Sequence, residues 1–405
     1  MTTVLISVNT TWNVVNFRAG LIQRLLGLGF KVVVASPPDE HVQALLALGE
    51  GYDALHYEPF EMAARGTNPI ADTWLLLRYR ALIKRIKPDV FLGYTIKPNI
   101  FGSLAAHFEA VPVINNISGL GAMFIHRHWM TSLVRGMYRQ ALSRSHTVFF
   151  QNHDDCDLFL SGKMVRKHQC ALLPGSGINL SHFQAQPWPN ADGECRFLFV
   201  GRMLWEKGIG EYVQAAAMVL EGLASHQALD KFEQSPTKAQ HTEHAASFLK
   251  PVFQVLGARD AASAASVADD QWRDWQAKGL IVDLGTTNDV RPIIARAHCV
   301  VLPSYREGTP RALLEAAAMA RPMIASRVPG CVNVVSDQVN GLLCEVRNPE
   351  SLAQCMNAFL GMPQAALIAM GQAGRAMVER KFDETLVIDR YEHAIKAALA
   401  KKSDR

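Results

Sequence analysis

Residues 299–326 read CVVLPSYREGTPRALLEAAAMARPMIAS, and this stretch decides the fold. An apolar run, Cys299 to Leu302, stops at Pro303 and turns through a Gly-Thr-Pro corner. Leucine and alanine then recur at helical spacing, and a second short apolar run, Met323 to Ser326, follows Pro322. A strand, a helix and a strand of this length form the crossover that joins parallel strands. Two carboxylates, Glu307 and Glu315, stand eight positions apart across the corner, with an arginine, Arg311, between them.

The same alternation extends through the second half of the chain. RFLFVGR (196–202), PVFQVLG (251–257) and LIVDLG (280–285) read as strands, and GEYVQAAAMVLEGL (210–223) and RPIIARA (291–297) as helices. The first 170 residues repeat the pattern. There TVLISV (3–8), KVVVAS (31–36), DVFLGY (89–94), VPVINN (111–116) and TVFFQN (147–152) are continuous apolar strands. NFRAGLIQRLLGLG (16–29), EHVQALLALGE (40–50) and TWLLLRYRALIKRI (73–86) carry helical periodicity. Continuous apolar strands alternating with helices imply parallel sheets covered on both faces. The Pro-, Gly-, Asn- and Ser-rich segment at 173–194 reads as a linker. The expectation is therefore an α/β chain of two doubly wound domains, 1–180 and 190–381, facing a central cleft, with ligands outside the carboxyl ends of the strands. Residues 225–249 read as a polar surface insertion, and the amphipathic segment 382–401 is free to pack back on the first domain.

Composition narrows the class. A chain of 405 residues with 49% hydrophobic and 19% charged content is globular with large cores. Its net charge of +4 is modest, but ten Lys or Arg face two acids between Arg78 and Arg144. That local excess favours an anionic partner over a merely solvated set of helix faces. Within it, 124–144 mixes Arg127, Arg135, Arg139 and Arg144 with Trp129, Met130, Leu133 and Tyr138. Such a helix suits a bilayer interface, or a core-packed helix with a solvated basic face. Seven cysteines without a C-x-x-C pair, no charged leader and no run of 18 apolar residues point to a reduced, cytoplasmic protein. No G-x-G-x-x-G follows the first strand and no Walker A sequence is present, which argues against dehydrogenase and P-loop chemistry. Asp155 and Asp157 form an Asp-x-Asp, but at a helix start, where capping explains them better than a metal.

Chemistry gathers at two places in the second half. The strand RFLFV ends at Gly201, followed by Arg202 and, five residues on, Lys207. A guanidinium fork and a point charge on one loop suit a diphosphate, although a basic surface loop looks the same. At the Gly-Thr-Pro corner Thr309 reads as an N-cap and Pro310 as the first helical residue. The N–H groups of Gly308 and Thr309 then face an anion at the helix start. Glu307 points into the same cleft. Glu315, on a mostly buried helix where an unpaired carboxylate is expensive, is placed to accept ribose hydroxyls.

GRMLWEKGIGEY and SYREGTPRALLEAAAMARPMIAS together resemble glycosyltransferase family 4, a retaining family of GT-B fold with two facing Rossmann-like domains. The resemblance implies that Arg202 and Lys207 hold the donor diphosphate, Glu307 the donor sugar and Glu315 the ribose, with no cofactor and no metal. NFRAGLI, YTIKPNIFGSLAA, NNISGLGAMF, FFQNHDD, LPGSGIN and VPGCVNVV are similar to one branch of it. That branch comprises bacterial transferases that add a hexose or N-acetylhexosamine from a UDP-sugar to a saccharide on undecaprenyl diphosphate. The implied protein is peripheral on the inner face of the cell membrane, held there through the basic N-terminal domain, and binds no nucleic acid. Thr95, Lys97, Asn99, Gly119 and Gly121 border the acceptor in this reading. Many members place a histidine near the strand end at Gly93, Tyr94 and Thr95. Here it is missing, and His107, His126 and His128 read as structural or surface residues. The alternative is a sugar-nucleotide epimerase of the same architecture, acting on UDP-sugar alone.

Overall fold

The structure, a computed structural model of the chain, describes residues 1–63, 68–119, 129–190, 193–233, 250–259 and 265–403. It divides into two compact units, Met1–Gly177 with Phe382–Arg405, and Ile178–Lys381.

The first unit opens β1 (Thr3–Ser7), α1 (Thr11–Gly27), β2 (Lys31–Ser36), α2 (Val42–Ala47), β3 (Leu55–Pro59), α3 (Pro69–Ile86) and β4 (Val90–Tyr94). A π-helical turn at Pro98–Gly102 leads into α4 (Ser103–Phe108), β5 (Val113–Ile117), α5 (Trp129–Leu142), β6 (Thr147–Phe150), α6 (His153–Ser161) and β7 (Cys170–Leu172). The seven strands pair in parallel in the order β3-β2-β1-β4-β5-β6-β7. Alternate residues explain the apolar runs: Leu5 enters the core on one face of the sheet, and Val4 and Ile6 enter the core on the other. Helix starts follow their caps. The Thr10 side chain accepts from the Asn13 amide, and Asn68 accepts from Ile70 and Ala71 with Pro69 as the first helical residue.

The second unit repeats the plan. It runs β8 (Glu194–Val200), α7 (Ile209–Glu233), β9 (Lys250–Leu256), α8 (Asp269–Ala277), β10 (Val282–Asp283), α9 (Arg291–Arg296) and β11 (Cys299–Leu302). It continues with α10 (Arg311–Ala318), β12 (Met323–Ser326), α11 (Cys331–Val334), β13 (Gly341–Cys344), α12 (Pro349–Leu360) and α13 (Gln364–Lys381). The sheet order is β10-β9-β8-β11-β12-β13. β11 and β12 lie side by side in parallel, so the stretch 299–326 is the crossover its sequence spells. The polar segment 225–249 is not an insertion from its first residue, because α7 continues through Glu233. Residues 234–249 lie outside the described part.

The last helix, α14 (Glu384–Ser403), belongs to the first unit. Val387, Tyr391, Ile395 and Ala398 are buried in the core that Val4 and Ile6 also enter. The Asn116 amide at the end of β5 donates to the Tyr391 hydroxyl at 2.6 Å. All seven cysteines are free thiols. Among the described residues no helix is long and apolar enough to cross a membrane.

Candidate active site

In the second unit the strand order runs outward in both directions from the β8–β11 pair. Loops leaving the carboxyl ends of such a pair diverge and open a crevice. The residues singled out after RFLFV and in the SYREGTP corner sit on these two loops. After Gly201 the chain exposes Arg202, whose guanidinium has no hydrogen-bond or ion-pair partner among the described residues. A 3₁₀ turn at Trp205–Lys207 follows and ends at Gly208, whose φ is +77°. A Cβ on Gly208 would lie 2.0 Å from the Pro303 carbonyl oxygen, so only glycine lets the two loops meet. The Tyr305 amide donates to the Glu206 carbonyl at 3.0 Å, which ties the loops together.

The outcome is a contact between residues a hundred positions apart. Lys207 Nζ donates to Glu307 Oε1 at 2.5 Å, and the Ser304 hydroxyl donates to the same oxygen at 2.6 Å. The two side chains are 21% and 12% exposed, so the pair is sheltered and still reachable. Gly330 closes the corner from behind. Its φ is +85°, and a Cβ there would lie 2.2 Å from the Gly308 carbonyl oxygen. The thiol of Cys331, fully buried, is pushed well above its ordinary range by burial first and by the charge of Glu307 second. Tyr305 staples the corner to α7: its hydroxyl donates to Glu211 Oε1 at 2.7 Å, and the Arg347 guanidinium lies 4.4 Å from its ring centre. Burial, followed by the bond to Glu211, raises the Tyr305 phenol to about 12.

The helix start differs from the sequence expectation. α10 begins at Arg311, with Pro310 in the cap position at ψ 117° and no side-chain cap. Because Pro310 is itself extended, it takes the cap position, and Thr309 lies one residue further out and is not the N-cap. Gly308 and Thr309 each take part in an interaction within the protein. Glu315 lies one turn into α10, where Arg311 Nε donates to its Oε1 at 2.9 Å. With that side chain 12% exposed, burial holds its carboxyl above the ordinary range, and Arg311 opposes the shift.

The first-unit candidates divide. Thr95, at the end of β4, has φ +65°, a strained value for a β-branched residue, and its Oγ1 is buried without a partner among the described residues. Lys97 is committed to Asp72 of α3 at 3.1 Å, both side chains being less than 15% exposed. Asn99 is 1% exposed. Its amide donates to the Asn116 carbonyl at 2.8 Å, and its oxygen accepts from Asn115 at 2.9 Å. The acceptor contact expected of Asn99 therefore does not fit its position: it supports the Thr95 corner from inside. Gly119 has φ +150°, and Gly121 lies outside the described residues, as do His126 and His128. His107 is structural, bonded through Nε2 to the Ala141 carbonyl at 2.8 Å. The Asp-x-Asp segment starts α6: Asn152 accepts from the Asp155 amide at 2.8 Å and donates back to its carboxylate at 3.1 Å. Among the described residues no group of three His, Cys, Asp or Glu is placed to hold a metal ion.

Sequence reading missed several residues that build the site. Ser304 and Glu211 carry no motif of their own and are recruited by strand order. Arg321, 1% exposed, donates to the carbonyls of Pro187 at 2.6 Å and Ala295 at 2.8 Å, and burial lowers its guanidinium to about 10. It lies in the turn between α10 and the amino end of β12, away from the site, where it supports the fold; its place in a run of apolar residues is the signal that marks it as buried.

Residues 3–152 match the family model described as "Glycosyl transferase 4-like", and residues 194–361 match "Glycosyl transferases group 1". The chain is 24% identical over 396 residues, 94% of each chain, to the N,N'-diacetylbacillosaminyl-diphospho-undecaprenol alpha-1,3-N-acetylgalactosaminyltransferase of Campylobacter jejuni. It is 22% identical to the UDP-Gal:alpha-D-GlcNAc-diphosphoundecaprenol alpha-1,3-galactosyltransferase of Escherichia coli, over 72% of this chain and 71% of that one. Its fold superposes on that of Anabaena HepE in complex with UDP-glucose with a TM-score of 0.72 at 14% identity, covering 98% of this chain and 100% of that one.

Proposed function

Since the chain is a glycosyltransferase built of a glycosyl transferase 4-like domain and a group 1 domain, we propose that it moves a hexose or N-acetylhexosamine from a UDP-sugar to a saccharide carried on undecaprenyl diphosphate. The observation that carries this reading is the meeting of Lys207 and Glu307 beyond the carboxyl ends of β8 and β11, on loops of which the first also carries Arg202, in the crevice where such sheets take a nucleotide. The names of the Campylobacter and Escherichia relatives support the acceptor class, and the UDP-glucose of the Anabaena structure supports the donor class.

In this reading Arg202, exposed and uncommitted, takes the donor diphosphate, and Lys207 adds its charge from beside Glu307. Glu307, fixed by Lys207 and Ser304, accepts hydroxyls of the donor sugar, and Glu315 accepts those of the ribose. The acceptor hydroxyl attacks the anomeric carbon on the face that UDP leaves, so configuration is retained. The bond from the anomeric carbon to the diphosphate oxygen breaks, the new glycosidic bond forms, and the hydroxyl proton passes to the departing diphosphate. Arg202 and Lys207 stabilise the charge that develops there, without a metal. The first unit serves the acceptor, with Thr95 at its strand end. The enzyme works as a peripheral protein on the cytoplasmic face of the inner membrane, where the diphosphate of such an acceptor lies.

The test is a panel of UDP-Glc, UDP-Gal, UDP-GlcNAc and UDP-GalNAc with a short-chain polyprenyl-diphosphate saccharide, in the presence of EDTA. One donor is expected to give a retained product, and Glu307→Gln to lower kcat by about 10²–10³ with an unchanged circular dichroism spectrum. Near-normal turnover by that variant overturns the assignment of Glu307, and loss of wild-type activity in EDTA overturns the metal-free chemistry. Interconversion of UDP-sugars without acceptor establishes the epimerase in its place.

A further inference from the structure

We propose that the outward face of α3 is the surface by which this protein rests on an anionic bilayer. The proposal rests on the lipid-linked acceptor reading above and names the face that reading leaves open. α3 has two apolar faces. One, carrying Leu75, Tyr79, Leu82 and Ile83, is buried in the core of the first unit. The other is not used in folding: Ile70 is 72% exposed, Trp74 64% and Leu77 47%. Positions i, i+4 and i+7 fall on one side of a helix, so these three form a continuous stripe along its first two turns. Phe108, at the end of the neighbouring α4 and 62% exposed, widens it, with the Arg80 guanidinium 5.1 Å from its ring centre. Single exposed apolar residues are ordinary, but a stripe that includes a tryptophan marks a surface that meets something apolar.

Charge decides what that is. Arg78, Arg80, Lys84 and Arg85 share the helix with the stripe. Glu58 meets Arg85 through two bonds, and Glu109 is shared by Arg80 and Lys84, so among the described residues two acids face four cations. Among the described residues, the hydrogen bond of the Arg78 side chain goes to the Glu61 carbonyl, a neutral acceptor. A second copy of the chain would bring a stripe of the same net charge, and the two would repel. A layer of anionic headgroups attracts it, while Trp74, Ile70 and Leu77 reach the acyl boundary beneath. Of the region read from sequence, 124–144, residues 124–128 lie outside the described part, and the rest of α5 is less suited. Val134 and Tyr138 of α5 are buried, and Arg139 is spent on the carbonyls that follow α6, of Lys163 at 3.0 Å and Gly162 at 3.2 Å.

The experiment is vesicle flotation of the full chain and of the Trp74→Glu/Leu77→Glu double variant. The vesicles are phosphatidylglycerol with phosphatidylethanolamine in one arm and phosphatidylcholine alone in the other. Wild type is expected to float with the anionic vesicles, more weakly with phosphatidylcholine, and the variant to lose roughly tenfold or more in partitioning. Both substituted side chains are exposed, so the variant should keep the wild-type melting temperature and its activity on a water-soluble, short-chain acceptor. A variant that floats as well as wild type overturns the assignment of α3 and leaves the lipid-linked acceptor intact. Wild type that binds neither vesicle overturns the bilayer surface altogether, and failure on every lipid-linked acceptor overturns the reading beneath it. A wild-type dimer that the substitutions convert to monomers also overturns it, by making the stripe an interface between copies. Lys84→Gln supplies a second check: it should weaken binding to anionic vesicles and leave binding to phosphatidylcholine unchanged.

Discussion

The two glutamates of the corner have different environments and so different parts to play. Glu307 is held by a lysine and a serine, and in the proposed reading the pair gives an incoming diphosphate a cation already in place. Holding the charges before the substrate arrives lowers the reorganisation needed at the moment of reaction. Glu315 is held by Arg311 on its own helix, and its burial outweighs that ion pair, leaving its carboxyl above the ordinary value of 4.5. The sign of the consequence follows from proton linkage. As pH rises past 4.5 the unfolded chain gives up this proton first, so stability falls across the window up to the raised folded value. Glu315→Gln should flatten that fall, read as urea midpoints between about pH 4 and 7. Parallel curves for wild type and variant would show that Glu315 is not the group responsible. In the proposed reading the same substitution replaces one of the two oxygens that accept ribose hydroxyls with an amide donor, so it should also raise the KM for the UDP-sugar more than it lowers kcat.

Among the elements, the loops after β8 and β11 depend on two glycines where the sequence shows only a basic loop and a turn. Gly208 takes a left-handed φ of +77° and lies against the Pro303 carbonyl. Gly208→Ala should cost at least about 2 kcal/mol of stability, through the conformation and the clash together. It should lower kcat/KM further than that loss explains, because it moves Lys207 away from Glu307. Calorimetry and steady-state kinetics on the same preparation measure both, and a variant with wild-type stability would show that the loop relaxes without cost. Central strands were legible in the sequence, as was the edge strand β10 within LIVDLG, but the edge strands β3 and β7 were not. β1, β2, β4 and β11 have continuous apolar centres because both faces are covered. β3, at the sheet edge, reads LHYEP with every residue at least partly exposed, and β7 is a three-residue edge strand. An edge strand needs no continuous apolar run, so periodicity passes over it.

For the whole molecule, the chain order of the units is not the order of the chain. The last helix, α14, returns to the first unit and buries Val387, Tyr391, Ile395 and Ala398 there. At roughly 1.5–3 kcal/mol for a large buried side chain, these contacts are comparable to the whole stability of a domain. A chain ending at Lys381 should therefore lose or sharply lower the unfolding transition of the first unit and keep that of the second. Two transitions at wild-type temperatures would remove α14 from that core. By itself, the sequence determined the parallel α/β architecture and the two units, because burial on both faces and helix spacing are local properties of a chain, and it singled out Arg202, Lys207, Glu307 and Glu315 by their spacing around two strand ends. Only the tertiary structure decided which of these residues meet. Lys207 reaches Glu307 because β8 and β11 are neighbours in the sheet, Lys97 is spent on Asp72, and Asn99 is turned inward beneath a strained Thr95. Strand order and backbone conformation at a corner are set by the packing of the entire unit, and no local run of residues carries them.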